Sequence, residues 1–255
     1  AAALGLRPVV ELMFMDFIGL TVDQILNSAG KLHYMYNGQL TVPLVIRTPG
    51  GAKGGYGPSH SQMLANLFVG VPGLRIVAPS NAADAKSLLK AAIRDPNPVL
   101  FIENKRLYPV AAPIAEFANG ELGRAVVHGD GGGVSVFAYS AMVPMALEVQ
   151  AALAKRGVHI EVVDLVSLQP LDIDTIVASV ARTGRAVIAE EGCRTGGVGA
   201  EVAALIAERC MDSLEAPVAR VAAADCPIPS STDLEPHVLP SLRDLAKAVQ
   251  TTLRW

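Results

Sequence analysis

The 255-residue sequence carries a formal net charge of −3, with 51% hydrophobic and 18% charged residues. A balance this close to neutral, with no basic stripe, excludes a chain built to hold the nucleic-acid backbone. No stretch reaches the ~18 consecutive apolar residues of a membrane-spanning helix, so the apolar excess is assigned to a filled core and to surface buried against partner subunits.

Cys193, Cys210 and Cys226 are far apart and form no CxxC pair. That spacing points away from zinc and from a disulfide framework, and toward a reducing compartment. The opening AAALGLRPVVEL has no basic n-region or cleavage pattern, so it is not read as a signal peptide. It enters a strand almost at once, as a chain cut inside a domain would.

The pattern predicts a buried strand over 8–14, a helix over 17–36 with apolar residues at Ile18, Val22, Ile25, Leu26, Ala29 and Leu32, and a short strand over 42–46. A Gly/Pro loop over 48–59 follows, then helical spacing over 60–69 and a strand over 74–78. Asn81 has the chemistry of an N-cap for a helix to about Arg94, and 98–103 reads as a strand. Residues 108–123 read as a linker. The alternation then restarts: strands over 134–139, 159–165, 186–190 and 218–221, and helices over 143–155, 172–182, 199–210 and 241–253. Two such blocks predict two doubly wound α/β domains with mostly parallel sheets, over 1–110 and 124–255, joined by a linker at 111–123.

The loop TPGGAKGGYGPS holds five glycines in twelve residues and leads into His60-Ser61-Gln62. It lies between a strand end and a predicted helix start, where open α/β sheets bind ligands. A histidine at a helix start favours neutral imidazole, able to donate or accept a proton near pH 7. On spacing alone, a surface loop with a capping histidine is the favoured reading. In 92–98, the last carbonyls of a helix lie beside Asp95 and Asn97. These oxygens suit a hard monovalent cation, or ordinary helix-end capping. Met13 and Phe17 offer a polarisable wall to a flat ring, or simple core packing. GCRTGGVGAE, residues 192–201, follows a strand and precedes a helix but fits neither the dinucleotide nor the P-loop spacing, and Glu190 and Glu191 beside it would repel phosphate.

Taken in order, LGLRPVVELMFMDF, DQILNSAGK, VPLVIRTPGG, HSQ, PGLRIVAPSNAADAKSLLKAAIRDPNPVLFIENK, VVDLVSLQPLDIDTI and EEGCRTGGVGAE resemble the beta subunit of the decarboxylating component of 2-oxo acid dehydrogenases. The family includes pyruvate, branched-chain and acetoin enzymes. The resemblance implies a transketolase pyrimidine-binding domain, truncated at its N-terminus, followed by a transketolase C-terminal domain. It implies an α2β2 heterotetramer with thiamine diphosphate at the α–β interface, diphosphate and magnesium held mainly by the alpha subunit, a lipoyl acyltransferase core as further partner, and acyl transfer to a lipoyl group. By the same resemblance, Met13 and Phe17 contact the aminopyrimidine, and His60 is the catalytic histidine facing the thiazolium and the lipoyl group. Leu44, Ala92, Ile93, Asp95 and Asn97 form a potassium site, mainly through carbonyl oxygens.

The family's cofactor-activating glutamate would fall before Ala1, so a chain beginning there is not expected to activate thiamine. Ser59 stands where pyruvate enzymes commonly have Gln, which leaves the substrate open between a 2-oxo acid and acetoin. The competing expectations are a non-catalytic assembly subunit and a split transketolase-like enzyme.

Overall fold

Runs of Val, Ile, Leu and Phe produce inner strands buried on both faces, the pattern of parallel sheets covered by helices, while the strand expected as buried over 8–14 is a short exposed edge strand. The computed structural model describes residues 1–113 and 120–255. In the first half, β1 (Val9–Glu11), β2 (Val45–Gly50), β3 (Arg75–Val77) and β4 (Val99–Asn104) are parallel, in the order β1-β2-β4-β3. In the second half, β5 (Val126–His128), β6 (Ser135–Ala138), β7 (Glu161–Asp164), β9 (Ala186–Cys193) and β10 (Ala219–Ala223) give the order β10-β9-β6-β7-β5.

Each sheet ends in an antiparallel strand that the sequence pattern did not reveal. β5 pairs with β7, and β8 (Ser167–Gln169) leaves the second half to pair with β3. Both are only three residues long, too short for a periodicity to show. The insertion of β8 ties the two halves together. Their largest apolar cluster also runs through both, from Met15, Ile76 and Leu100 to Phe137, Leu165 and Ile188.

Three of the helices start where a polar side chain, Asn81, Asp172 or Ser241, caps a free amide. Before them, the short α1 (Leu32–Met35) follows a 3₁₀ segment, Met15–Thr21, and a π-helical segment, Gln24–Ala29. The predicted helix over 17–36 is thus three irregular pieces. In α2 (Ala82–Arg94), Asn81 accepts from the Asp84 amide at 2.9 Å. After α3 (Met142–Ala154) comes α4 (Ile173–Thr183), capped by Asp172. Then follow α5 (Val198–Cys210) and α6 (Leu242–Thr252), the latter with a Ser241–Asp244 capping box. The predicted helix over 60–69 is instead turns and one 3₁₀ turn, Ala65–Leu67. His60 therefore has no helix dipole beneath it. Part of the predicted linker, 114–119, lies outside the described residues.

Candidate active site

Three segments leave the C-terminal ends of the first sheet side by side: residues 12–17 after β1, the glycine loop after β2, and 105–108 after β4. This is the edge where open α/β sheets bind ligands. β2 runs through Thr48 and Pro49 to Gly50, so the loop begins at Gly51. It is closed by the Gly51 amide donating to the Gln62 carbonyl at 3.0 Å.

His60 sits at the end of this loop, half-buried. The rings of Phe14 and Phe17 meet its imidazole edge-on, at centroid distances of 4.8 and 5.3 Å. Phe14 has φ 71 and ψ 121, an expensive backbone state for a residue with a side chain, of a kind that concentrates at functional sites. The hydroxyl of Ser59 lies 3.0 Å from His60 Nδ1. With Nδ1 engaged, Nε2 is the nitrogen left to move a proton.

Two charged side chains hold the stretch in place. Asp16 Oδ1 accepts from the amides of Ser61 (3.1 Å) and Gln62 (3.0 Å) and from Gln62 Nε2 (3.0 Å). Lys105, only 4% exposed, donates from Nζ to the His60 carbonyl at 2.5 Å. Its ammonium lies 5.0 Å from the Phe14 ring centroid and 5.6 Å from that of Tyr56, within cation–π range. Burial pushes the Lys105 pKa down, against the pull of Asp16, Glu191 and Glu235.

The structure thus brings Phe17 to His60, while Met13 stands 71% exposed on the same segment and Phe14 takes the inner place beside the imidazole. Phe14, Asp16 and Lys105 were not singled out from the sequence. The signal for Asp16 was an acid inside an apolar run, MFMDF.

The other predicted group gathers at the C-terminal end of α2. The Leu44 carbonyl accepts from the Val99 amide at 2.8 Å, which ties it to the start of β4, and Ala92 is buried in the last turn. The carbonyls of Ile93 and Asp95 converge on one nitrogen, Arg7 Nη1, at 2.7 and 3.1 Å. The Asp95 carboxylate receives the Asn97 amide and Nδ2, both at 2.8 Å, and pairs with Arg75 at 3.0 Å. Its carbonyl-rich end suits a cation in kind, with a guanidinium standing on two of the oxygens.

Both glycine turns that could have cradled phosphate are filled by the chain's own carboxylates. Glu235 accepts the amides of Gly54 and Gly55, each at 3.0 Å. Glu190, 1% exposed, lies at the start of α5, where a Cβ on Gly197 or Gly199 would come within 2.6 Å of its carboxylate oxygens. Burial raises the Glu190 pKa, opposed by Arg220 and by the Gly199 and Val198 amides. Among the described residues, no group of three or more His, Cys, Asp or Glu could hold a metal ion.

Two α/β sheets of this topology, tied together by β8, define a transketolase-like pair of domains. The family model for the transketolase pyrimidine-binding domain matches residues 1–111, and that for the transketolase C-terminal domain matches 123–245. A solved structure described as a split gene transketolase, inactive beta4 tetramer, superposes with a TM-score of 0.81 at 26% identity, covering 99% of this chain and 78% of that one. The Arabidopsis thaliana mitochondrial pyruvate dehydrogenase E1 component subunit beta-1 is 45% identical over 253 residues, 97% of this chain and 70% of that protein. The beta subunit of the Cupriavidus necator acetoin:2,6-dichlorophenolindophenol oxidoreductase is 42% identical over 255 residues, 100% of this chain and 75% of that protein. The Rickettsia bellii pyruvate dehydrogenase E1 component subunit beta is 43% identical over 98% of this chain and 77% of its own length. The chain belongs to the family of beta subunits of thiamine-dependent 2-oxo acid dehydrogenase components.

Proposed function

We propose that this chain works with an alpha subunit in an α2β2 assembly that oxidatively decarboxylates a pyruvate-like 2-oxo acid, or cleaves acetoin, and passes the acyl group to a lipoyl group on an acyltransferase core. The observation that carries the reading is His60, flanked edge-on by Phe14 and Phe17 where the strands of the first sheet end.

Thiamine diphosphate, when bound, supplies a carbon nucleophile and an electron sink. Met13 and Phe17, exposed on the segment that follows β1, are the apolar surfaces offered to its aminopyrimidine ring. The diphosphate and magnesium are assigned to the alpha subunit. In support, the Gly54 and Gly55 amides are already taken by Glu235, and the buried Glu190 carboxylate occupies the space beside Gly197 and Gly199. His60 Nε2 moves a proton during acyl transfer. The carbonyl cluster of Leu44, Ala92, Ile93, Asp95 and Asn97 is assigned to potassium.

An alpha partner has a surface to cover. Met13, Phe17 and Leu20 are exposed apolar side chains on the segment that follows β1, beside the glycine loop. Among the described residues no helix is long and apolar enough to cross a membrane. The three cysteines are free, which supports placement in a reducing compartment, a bacterial cytoplasm or mitochondrial matrix. By function, residues 1–110 act as the pyrimidine-binding unit and 124–255 as the C-terminal unit, joined at 111–123.

The test assembles the full-length beta subunit that contains this sequence with its alpha subunit and compares wild type with His60→Ala. Decarboxylation or cleavage is followed with dichlorophenolindophenol, and acyl transfer with lipoamide. Acyl transfer falls by about 10²–10⁴-fold in the variant and the dye reaction falls far less. Unaltered transfer to lipoamide refutes the role of His60.

A further inference from the structure

The loop that carries His60 springs from the first sheet, yet its shape is imposed from the second half of the chain. Ala52 is fully buried in a small apolar cluster with Ala223, Ile228 and Leu239. The Ala52 amide donates to Glu191 Oε1 at 2.8 Å, and Asn104 Nδ2 donates to Glu191 Oε2 at 2.6 Å. Beyond Ala52, Gly54, Gly55 and Gly57 have φ of 80, 79 and 75. The successive amides of Gly54 and Gly55 face the same side of this turn and form a concave anion site. The anion in it is the Glu235 carboxylate, 4% exposed, which takes the Gly54 amide on one oxygen and the Gly55 amide on the other. Arg106 joins the same group, with its guanidinium 3.5 Å from Glu235 Oε1 and its Nε donating to the Ala52 carbonyl at 2.9 Å. At Gly57 any Cβ would collide with the hydroxyl of Ser230. Segment 230–235 is therefore the mould against which the loop is cast.

We propose that Glu235 is a positioning residue: its carboxylate, inserted into the amide concavity of Gly54 and Gly55, fixes the glycine loop and through it the place of His60. The inference rests on His60 acting in acyl transfer. Its physical basis is that glycines give a loop many alternative paths, and that charge-assisted bonds to an ionised acceptor select one of them. Glu191 anchors the root of the loop and Glu235 its crown. His60 follows within five residues of Gly55, too short a distance to absorb a displacement of the crown.

The experiment uses Glu235→Gln and Glu235→Ala in the assembled αβ enzyme, with His60→Ala alongside. Two readouts are taken: amide hydrogen exchange over 51–62, and the ratio of lipoamide transfer to dye reduction. Faster exchange over the loop, with transfer falling roughly 10- to 100-fold relative to dye reduction and more in the Ala than the Gln variant, is the expected result. A purely structural loss would lower both activities together and leave their ratio unchanged; that outcome overturns the proposal. Unchanged exchange in both variants also overturns it, by showing that the carboxylate does not hold the loop. Unchanged transfer in His60→Ala removes instead the reading on which the proposal rests, and the exchange data then report the clamp separately.

Discussion

The Lys105 ammonium donates to the backbone carbonyl of His60 at 2.5 Å. It thereby joins the end of β4 to the end of the loop that follows β2, two strands registered side by side from Val45↔Val99 to Gly50↔Asn104. A long charged side chain, bent back under the loop and resting on the faces of Phe14 and Tyr56, fixes the imidazole from below.

Lys105→Met keeps the length of the stem and removes the charge. The His60 carbonyl then loses its donor, and the two rings lose the cation that draws them together. A displacement of about 1 Å at a reacting group is enough for a loss of roughly 10²-fold. Lipoamide transfer by the assembled enzyme is expected to fall by about 10- to 100-fold. Transfer at the wild-type rate would show that the loop holds His60 without this contact.

Asp16 secures the other side of the same stretch. With Asp16→Ala, the amides of Ser61 and Gln62 lose their acceptor. Leaving a buried amide unpaired costs about 1–3 kcal/mol. Urea unfolding of Asp16→Ala should show a loss of at least this size, and Asp16→Asn, which keeps a carbonyl acceptor, a smaller one. Equal stability of Ala and Asn variants contradicts the role of Oδ1.

The alternation of strands and helices was legible because each long element carries a strong local signal. Asn81 and Ser241 mark helix starts, and β2, β4, β6 and β7 are short apolar runs buried on both faces. β5 and β8 were not legible, since each is a three-residue edge strand whose existence depends on a partner far away in sequence. The apolar spacing over 60–69 suggested a helix, but Asp16, 46 positions earlier, takes the Gln62 amide and the chain turns instead.

The candidate site divides the same way. The glycine loop and His60 announce themselves by composition, and the resemblance supplied Met13 and Phe17. Phe14, Lys105, Glu191 and Glu235 act through contacts across 45 to 181 positions. No local pattern encodes such a contact. An acid such as Glu235, in a stretch rich in Pro and Ser, reads as a solvated loop residue until the amides it faces are known.

The end of α2 gives a test that needs no activity. Potassium, were it to lodge among the carbonyls of Ala92, Ile93 and Asp95, would stabilise the folded chain by mass action. At a concentration about 100 times its Kd the gain is ~2.7 kcal/mol, a rise in Tm of roughly 5–10 °C for a chain of this size. Melting curves in potassium chloride and in choline chloride at equal ionic strength measure it. Arg7→Ala, which frees the Ile93 and Asp95 carbonyls of their guanidinium, should make the dependence on potassium steeper. Identical Tm in both salts, for wild type and variant, eliminates the site.

Asp164 makes stability depend on pH. It ends β7 fully buried, accepting the Ser80 hydroxyl at 2.5 Å and the Val166 amide at 3.0 Å. Burial pushes its pKa up to about 7, only partly offset by those two bonds, with Asp84 adding a further upward push. The folded chain therefore keeps a proton that the unfolded chain, with an ordinary carboxyl, has released. In such a case the contribution to stability is complete below about pH 4 and is lost as pH rises toward 7. The three-unit difference corresponds to roughly 4 kcal/mol over the whole range, of which about 2–3 kcal/mol falls between pH 5 and 8. Asp164→Asn removes the titration and keeps the shape. Urea unfolding at pH 5, 6, 7 and 8 should show wild type losing about 2–3 kcal/mol relative to the variant across that span. The two halves meet here, because Ser80 follows β3 and Asp164 ends β7, so the loss should appear as earlier separation of the two sheets. Parallel pH profiles for wild type and variant would mean that Asp164 is ionised in the folded chain throughout.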